Sequence, residues 1–228
     1  MPGKNTRKQY IKNGCYHVYN RGVEKRKIFV DKQDYSVFLS YLKEYLLPKN
    51  IRELSDIVNN ENSPPFEKNK ALKLIRLNNF ATDISLIAYC LMPNHFHLLV
   101  KQNSKDSIDK FMNSFCTRYT MYFNAKYERV GKLYEGTYKA VIVSTDEQLL
   151  HLSRYIHYNP TRITTNKGDA LLSQPSSLPT YLGLDKTTWI SSDEILHFFS
   201  KTNPKLSYKN FMNLEEDTNV LENLKLDD

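Results

Sequence analysis

Hydrophobic and polar positions along the chain follow two periods. Alternation or short apolar runs predict four strands, over residues 15–21, 83–92, 94–102 and 140–143. Apolar residues at helical spacing predict three long helices, after Asp31, over 104–127 and over 146–160. The last of these helices follows a capping-box sequence that begins at Thr145. The order of elements indicates an α+β fold, a ferredoxin-like antiparallel sheet (βαββαβ) with an added C-terminal helix.

Two further segments accompany this unit. Residues 49–82 are polar and asparagine-rich, and they predict an insertion with one short helix near 70–77. Beyond residue 165 the sequence is typical of a loop, with Trp189 as a packing anchor, before short helices near 193–200 and 207–214. We therefore expect a main domain over 1–165, a small helical extension over 166–214 packed on or beside it, and an acidic flexible tail over 215–228.

The charge of the chain is unevenly distributed. Six carboxylates and one lysine give residues 215–228 a net charge of −5. The whole chain carries +7, so the 214 residues before this segment carry +12. The high positive charge of residues 1–214 favours a polyanionic partner. Nucleic acid is favoured over a membrane because no basic amphipathic anchor is visible. No segment approaches the roughly 20 apolar residues that span a bilayer.

Cysteine usage and the N-terminal sequence predict a cellular compartment. Cys15, Cys90 and Cys116 are odd in number and widely spaced, which favours reduced thiols over a disulfide framework. The first ten residues are polar and basic and lack the apolar core of a secretory signal. We expect a cytoplasmic protein.

Two histidines stand out in the third predicted strand. Side chains alternate along a strand, so His95 and His97 share one face while Phe96 and Leu98 turn to the other. Two neutral imidazoles on one side suit a divalent cation, which then needs a third protein ligand and open positions for substrate. The alternative is that the pair forms local hydrogen bonds at a strand edge, the commoner situation for an isolated His-x-His.

Tyr155 and Asn159 are four residues apart in the last predicted helix and therefore lie on one face. The Asn159 oxygen can supply the third ligand, which places the Tyr155 phenol beside a cation that holds phosphate, where a phenolate can attack phosphorus. Two imidazoles and an amide fit Mg²⁺ or Mn²⁺. His151 is one candidate for deprotonating Tyr155, and a solvated helix histidine is the alternative. With 16 tyrosines, packing also explains a tyrosine here, and Asn159-Pro160 is an ordinary helix stop.

Three blocks of sequence occur in a familiar order: LMPNHFHLLV at 91–100, GKLYEGTYK at 131–139 and SRYIHYNPTR at 153–162. Together they resemble the REP-associated tyrosine transposases, the single-tyrosine branch of the HUH endonucleases. The resemblance covers roughly residues 10–165. The insertion at 49–82 and the extension after 165 lie outside the minimal enzyme of that family, and they would alter target choice or assembly.

The resemblance implies an enzyme that depends on Mg²⁺ or Mn²⁺ and nicks and rejoins single-stranded DNA, typically at hairpins. In such proteins the two histidines of the motif bind metal, which corresponds to His95 and His97. The nucleophile corresponds to Tyr155 and the third ligand to Asn159. The products are a 5′-phosphotyrosine link and a free 3′-hydroxyl.

Contacts with DNA are predicted from charge and aromatic residues. Candidates for tracking phosphates are Arg21, Lys25, Arg26, Lys27, Arg118, Lys132, Lys139, Arg154 and Arg162, and Tyr134 and Tyr138 are candidates for stacking on unpaired bases. Each of them is, taken singly, also explained as a surface charge or a core aromatic. The sequence is compatible with a monomer and with a homodimer that exchanges helices.

Two other functions stay open at this stage. One is a domesticated DNA-binding protein that keeps the scaffold and the basic surface but does not cleave, and therefore need not keep Tyr155. The other is a metal-dependent hydrolase in which Tyr155 only positions the substrate, so that no covalent adduct forms.

Overall fold

A four-stranded antiparallel sheet forms the centre of the molecule, in the order β2-β3-β1-β4. The structure, a computed structural model, describes residues 8–162, 173–214 and 219–221, without the side chains of 161, 162 and 219. The strands are β1 (Cys15–Arg21), β2 (Ile84–Met92), β3 (His95–Gln102) and β4 (Lys139–Val143). This strand order is that of the ferredoxin-like βαββαβ pattern, so the predicted α+β fold is confirmed.

The register of β1 decides which side chains share a face. Arg21 is opposite His95, and Tyr19 is opposite both His97 on β3 and Lys139 on β4. Directly opposed residues of antiparallel strands point to the same side. One face of the sheet therefore carries the histidines of β3, and His17 lies two residues before Tyr19 on this same face.

In the part of the chain that the structure describes, five long helices and three short ones accompany the sheet. They are α1 (Lys32–Leu46), α2 (Ile51–Asn59), α3 (Pro65–Arg76), α4 (Ser107–Lys126), α5 (Asp146–Tyr158), α6 (Leu178–Tyr181), α7 (Asp193–Leu196) and α8 (Tyr208–Met212). Helices α1 and α4 cover the face opposite the histidines, where the ring of Phe38 lies 5.3 Å from that of Phe96 and 4.6 Å from that of Phe115. Such edge-to-face and tilted ring pairs fill the space between helix and sheet.

A buried carboxylate holds the start of α1 against the end of α4. Asp34 is fully buried. It accepts hydrogen bonds from the Val30 backbone N–H at 2.7 Å, from the Tyr127 hydroxyl at 2.8 Å and from Lys126 Nζ at 2.8 Å. Burial raises the pKa of Asp34, but these hydrogen bonds outweigh it and hold the pKa below its usual value. The charge is thus fully compensated inside the helix layer.

Helix α5 lies on the histidine face, against β2 and β3. It begins where the capping sequence predicts, since the Thr145 side chain accepts a hydrogen bond from the Gln148 backbone N–H at 3.1 Å. The buried side chains of Leu152 and Ile156 form part of its apolar stripe. The sheet thus has α1 and α4 on one side and α5 on the other.

The extension is joined to α5 by buried hydrogen bonds. His157 Nε2 lies 2.7 Å from Ser177 Oγ, and His157 Nδ1 lies 2.8 Å from the Tyr208 hydroxyl, which is also 3.1 Å from Ser153 Oγ. All of these groups are buried. Burial lowers the pKa of His157 to about 3, so the ring is neutral at pH 7 and has one donor and one acceptor for its two partners.

The insertion contains more regular structure than the sequence predicts. We expected one short helix near 70–77, whereas α2 and α3 occupy most of the segment and pack against each other. Asn50 caps α2 by accepting from the Glu53 backbone N–H at 3.2 Å, and Pro65 occupies the first position of α3. The asparagines and prolines that suggested a loop are therefore helix caps. Of the acidic tail only 219–221 is described, and Leu221 is buried there, next to α5.

Candidate active site

The two histidines of β3 lie where alternation predicts them. His97 is fully buried and His95 is half-buried, and their ring centroids are 4.9 Å apart. Phe96, between them, packs on the opposite face against Phe38. The His95 Nδ1 atom lies 2.6 Å from Asn94 Oδ1. Because that oxygen only accepts, this hydrogen bond places the proton on Nδ1 and the lone pair of His95 on Nε2.

A third histidine completes this cluster. His17, on the neighbouring β1, is fully buried, and its Nε2 atom lies 2.9 Å from His97 Nδ1. The two rings are stacked, with centroids 5.1 Å apart. We did not single out His17 from the sequence. Alternation over 15–21 fixes its face, but only the pairing of β1 with β3 shows that it lies beside His97.

Tyr155 of α5 projects onto the same cluster. Its ring centroid is 5.6 Å from that of His97 and 6.1 Å from that of His17, in both cases nearly perpendicular. Tyr155 is 2% exposed, with the phenol ring between α5 and the sheet. The structure therefore brings the predicted nucleophile next to one of the two predicted metal-binding histidines. His151, one turn earlier, instead contacts Phe211, with ring centroids 5.5 Å apart.

Asn159 is the C-cap of α5 and starts a short 3₁₀ turn, Asn159–Arg162. It is buried, and its Nδ2 donates a hydrogen bond of 3.0 Å to the backbone carbonyl of Tyr155. The bond on Nδ2 fixes the orientation of the amide and assigns its Oδ1 atom the role of acceptor or ligand.

The donor atoms fit a cation of the Mg²⁺ or Mn²⁺ class. Within 8–162, 173–214 and 219–221, no group of three or more His, Cys, Asp and Glu side chains could hold a metal ion. The expected ligand set, His95 and His97 through imidazole nitrogen and Asn159 through oxygen, includes an amide, which is a ligand of a different type. Mixed nitrogen and oxygen ligands of this kind suit Mn²⁺ well.

Some of the predicted DNA-binding residues lie beside this site. Lys25 and Lys27 are exposed in the segment that follows β1. That segment is held against the turn before His95, since Gly22 N–H donates to the Asn94 carbonyl at 2.8 Å and Ile28 N–H donates to the Pro93 carbonyl at 2.8 Å. In the same segment Arg26 Nη2 lies 3.3 Å from Glu24 Oε2.

Two further cations border the histidine face. Arg21 Nε lies 2.9 Å from Glu135 Oε1, next to His95 in the register. Lys139 is exposed, and its Nζ lies 5.7 Å from the ring centroid of Tyr19, which itself neighbours His97. Exposed lysines therefore border the histidine face on two sides.

Other predicted DNA-binding residues are engaged elsewhere. The Arg118 guanidinium lies 2.6 Å from Glu44 and 3.6 Å from the centroid of the Tyr41 ring, between α4 and α1. Arg154 is buried on α5, 5.5 Å from the Phe211 ring. Both positions differ from the exposed, phosphate-tracking role that we expected. The side chain of Arg162 lies outside the described residues.

Tyr134 and Tyr138 also differ from the expectation, because both are buried. The Tyr134 ring packs 6.0 Å from that of Phe96, on the face of the sheet opposite the histidines. The Tyr138 hydroxyl bonds to Asp109 and to the Tyr10 hydroxyl. With the exposed Lys132 they line a groove of about 420 Å³ along α4. Their rings therefore pack in the core and are not exposed platforms on which bases could stack.

Two structural findings concern the expected compartment. All three cysteines are free thiols, and Cys90 is buried in the core. None of the helices within the described ranges has the length and apolar character that crossing a bilayer requires.

Comparison with known proteins finds similarity to transposases over the part of the chain that contains the site. Residues 67–159 match the family model described as "Transposase IS200 like", a segment that contains His95, His97, Tyr155 and Asn159. Among solved structures, a REP-associated tyrosine transposase bound to a REP hairpin shares 11% identity, covering 82% of this chain and 97% of its own, with a TM-score of 0.49. A protein from Deinococcus radiodurans R1 assigned as a transposase shares 13% identity, covering 67% and 95%, with a TM-score of 0.36. No curated protein matches significantly. Residues 67–159 of this chain are therefore similar to the IS200-like transposases, in agreement with the resemblance of its motifs to the REP-associated tyrosine transposases.

Proposed function

We propose that this protein is a transposase, a metal-dependent single-strand DNA endonuclease and strand transferase that uses Tyr155 as its nucleophile. The observation that supports the proposal most is the contact between Tyr155 and His97, which joins α5 to the strand of the histidine pair. The match of residues 67–159 to the IS200-like transposase model supports action on DNA, and the motif resemblance supports hairpin-bearing single strands as the substrate. We further propose a cytoplasmic protein, since its three cysteines are free.

The proposed reaction exchanges one phosphodiester for another. The Tyr155 phenol loses its proton and its oxygen bonds to phosphorus, while the bond between phosphorus and the 3′ oxygen breaks. The 3′ oxygen takes up a proton and leaves as a hydroxyl, and the 5′ end stays attached to Tyr155. The ester bond is retained, so a second 3′-hydroxyl can reverse the exchange and rejoin DNA without ATP.

The chain's own residues would hold the cation and the substrate. His95, His97 and Asn159 would bind Mg²⁺ or Mn²⁺, which supplies positive charge to the phosphate oxygens as the phosphorus centre becomes more negative. Because all three ligands are neutral, the ligand set does not reduce that charge. Lys25, Lys27 and Lys139, exposed around the histidine face, are suited to attract the flanking phosphates.

The site is proposed to work within a single chain. Tyr155 contacts His97 and His17 of the same polypeptide, so the nucleophile and the histidine pair need no second copy to meet. This supports a monomer as the active species over a homodimer with exchanged helices.

One observation favours the second candidate, a domesticated DNA-binding protein that does not cleave. Tyr155 is only 2% exposed, so a phosphate reaches its oxygen only if α5 or the covering side chains shift. A protein that only binds DNA needs no such shift. The two candidates make opposite predictions about covalent chemistry.

A denaturing gel distinguishes the candidates. Single-stranded hairpin DNA labelled at its 3′ end, which stays on the fragment that becomes linked to protein, is incubated with Mn²⁺ and either the protein or its Tyr155→Phe variant. Transfer predicts a labelled protein–DNA species with the unmodified protein only. Binding without cleavage, or equal cleavage by both proteins, would contradict the proposed mechanism, and equal cleavage would indicate the hydrolase.

A further inference from the structure

His17 and His97 form a hydrogen bond on one face of the sheet, and the match to the family model does not explain it. Both side chains are fully buried, and the bond joins His17 Nε2 to His97 Nδ1 at 2.9 Å. The Tyr19 and Tyr155 rings pack around this pair, with Tyr19 4.8 Å from His17 and Tyr155 5.6 Å from His97. Imidazole pairs are costly to bury, so their arrangement calls for a physical reason.

The direction of this bond decides what His97 can bind. One nitrogen of a neutral imidazole carries the proton and the other carries the lone pair. If His17 donates, the proton of His97 is on Nε2, and His97 presents a donor rather than a ligand. If His97 donates from Nδ1, its lone pair is on Nε2 and can bind a cation.

His95 supplies the comparison that favours one direction. Its Nδ1 is hydrogen-bonded to the acceptor Asn94 Oδ1 at 2.6 Å, which assigns its lone pair to Nε2. His97 has the same backbone orientation on the same strand, and its Nδ1 is likewise the nitrogen bonded to a neighbour. With His17 as the acceptor, His95 and His97 both present the lone pair of Nε2 to a ligand. In the reverse direction His95 would present a lone pair on Nε2 and His97 a proton.

We propose that His17 is a positioning residue: it accepts the Nδ1 proton of His97 and thereby fixes the tautomer and ring orientation with which His97 binds the catalytic cation. Hydrogen bonds to the second nitrogen of a ligating histidine commonly have this effect, and their loss typically lowers metal affinity about 10- to 100-fold. The consequence for metal binding rests on the proposed function. The tautomer itself does not, because it is a property of the metal-free protein.

Three variants separate this role from simple packing. His17→Phe keeps a ring in the core but removes the acceptor. His17→Gln supplies an amide oxygen that can accept from His97 Nδ1. Val18→Ala is the matched control, because Val18 is equally buried on the same strand but faces the opposite side of the sheet. It removes packing from β1 without touching the histidines.

The first readout is the nitrogen-15 spectrum of the metal-free protein, at a pH above the ordinary imidazole pKa of about 6.5. The inference predicts that His97 carries its proton on Nδ1 in the unmodified protein, in His17→Gln and in Val18→Ala. In His17→Phe the proton should move to Nε2, the site that an imidazole without such a partner prefers. A proton on Nε2 in the unmodified protein, or no change in His17→Phe, would overturn the inference.

The second readout is Mn²⁺ affinity, measured by calorimetry with the metal alone. His17→Phe should weaken binding about tenfold or more, with His17→Gln and Val18→Ala close to the unmodified protein. An equal loss in Val18→Ala and His17→Phe would assign His17 to packing and overturn the inference. If the unmodified protein binds no Mn²⁺ but its His97 tautomer depends on His17, the positioning role stands and the metal-dependent function fails.

Discussion

The rings of Tyr155 and His97 meet edge to face, with their centroids 5.6 Å apart and their planes at 85°. One residue lies on a late helix and the other on a strand far upstream, so the contact exists only because α5 folds back over β2 and β3. It places a phenol against the imidazole pair within one chain.

Metal removal and a change at Asn159 test the proposed ligand set. Chelation with EDTA should abolish formation of the protein–DNA adduct, and added Mn²⁺ should restore it. Asn159→Asp should bind Mn²⁺ at least as tightly as the unmodified protein, since a carboxylate replaces an amide, but should form adduct more slowly. The added negative charge lowers the positive charge that acts on the phosphate.

Asn159→Ala provides the contrast with Asn159→Asp. It removes the oxygen and the hydrogen bond from Nδ2 to the Tyr155 carbonyl, so both Mn²⁺ affinity and adduct formation should fall. Calorimetric titration with Mn²⁺ and rates of adduct formation measure the two effects separately. Unchanged Mn²⁺ affinity in Asn159→Ala would show that Asn159 is not a ligand.

The salt dependence of DNA binding tests which cations face the DNA. Each phosphate contact with a single strand contributes about −0.7 to the slope of log K against log salt concentration. Lys139→Ala should therefore make the slope less negative by about 0.7. Lys43→Ala, an equally exposed lysine on α1 across the sheet, should leave it unchanged. Equal slopes for the two variants, measured by fluorescence anisotropy, would remove Lys139 from the interface.

The buried hydrogen bonds between α5 and the extension should stabilise α5, which can be measured. Tyr208→Phe deprives His157 and Ser153 of a partner and should lower the free energy of unfolding by about 1–3 kcal/mol. The rate of backbone amide hydrogen exchange should rise most in α5. Tyr181→Phe is the matched control, since the Tyr181 hydroxyl donates to the Ile87 carbonyl of β2 at 2.9 Å. If exchange in α5 responds equally to both changes, the bond to Tyr208 does not hold the helix.

The lowered pKa of Asp34 predicts that the free energy of unfolding falls at acid pH. Its pKa is lower in the folded protein than the ordinary value of about 3.9 in the unfolded chain, so folding gains from the ionised form. This stability is present above pH 4 and is lost as the pH falls through the folded pKa. Asp34→Asn should cost about 3 kcal/mol at pH 7, because the donors of Val30, Tyr127 and Lys126 lose their buried ionised acceptor, although Lys126 keeps its pair with Asp31. The difference between the two proteins, from urea denaturation, should shrink below pH 4, and a constant difference would contradict the assignment.

The sequence predicts most of the fold because its signals are local. The alternation at 15–21 and the apolar runs around Pro93 define strands whose bounds agree with the structure to within one or two residues. Asp31 and Thr145 start helices through side-chain hydrogen bonds that depend only on the next few residues. The insertion is where this reasoning fails: Ile51, Leu54 and Val58 recur at helical spacing in α2, but this helix is only nine residues long and lies among polar residues and prolines that favoured a loop.

The site is predicted less completely, because it depends on contacts between distant segments. The shared face of His95 and His97 follows from the alternation of side chains along a strand. The approach of Tyr155 to them was inferred from its spacing to Asn159 and from the motif resemblance, because the packing of α5 on β3 cannot be read from local sequence. His17 escaped notice because its importance comes from strand pairing. Tyr134, Tyr138, Arg118 and Arg154 were assigned to DNA from composition, whereas the structure shows them packed or paired. Burial cannot be read from residue type alone.

The most direct test of the account is the mass of the protein after reaction with a single-stranded hairpin oligonucleotide and Mn²⁺. The account predicts a species heavier than the protein by the 3′ portion of the oligonucleotide, with the modification on the peptide that contains Tyr155, and its absence from Tyr155→Phe. An oligonucleotide attached to any other residue, or cleaved DNA with no mass added to the protein, would contradict it.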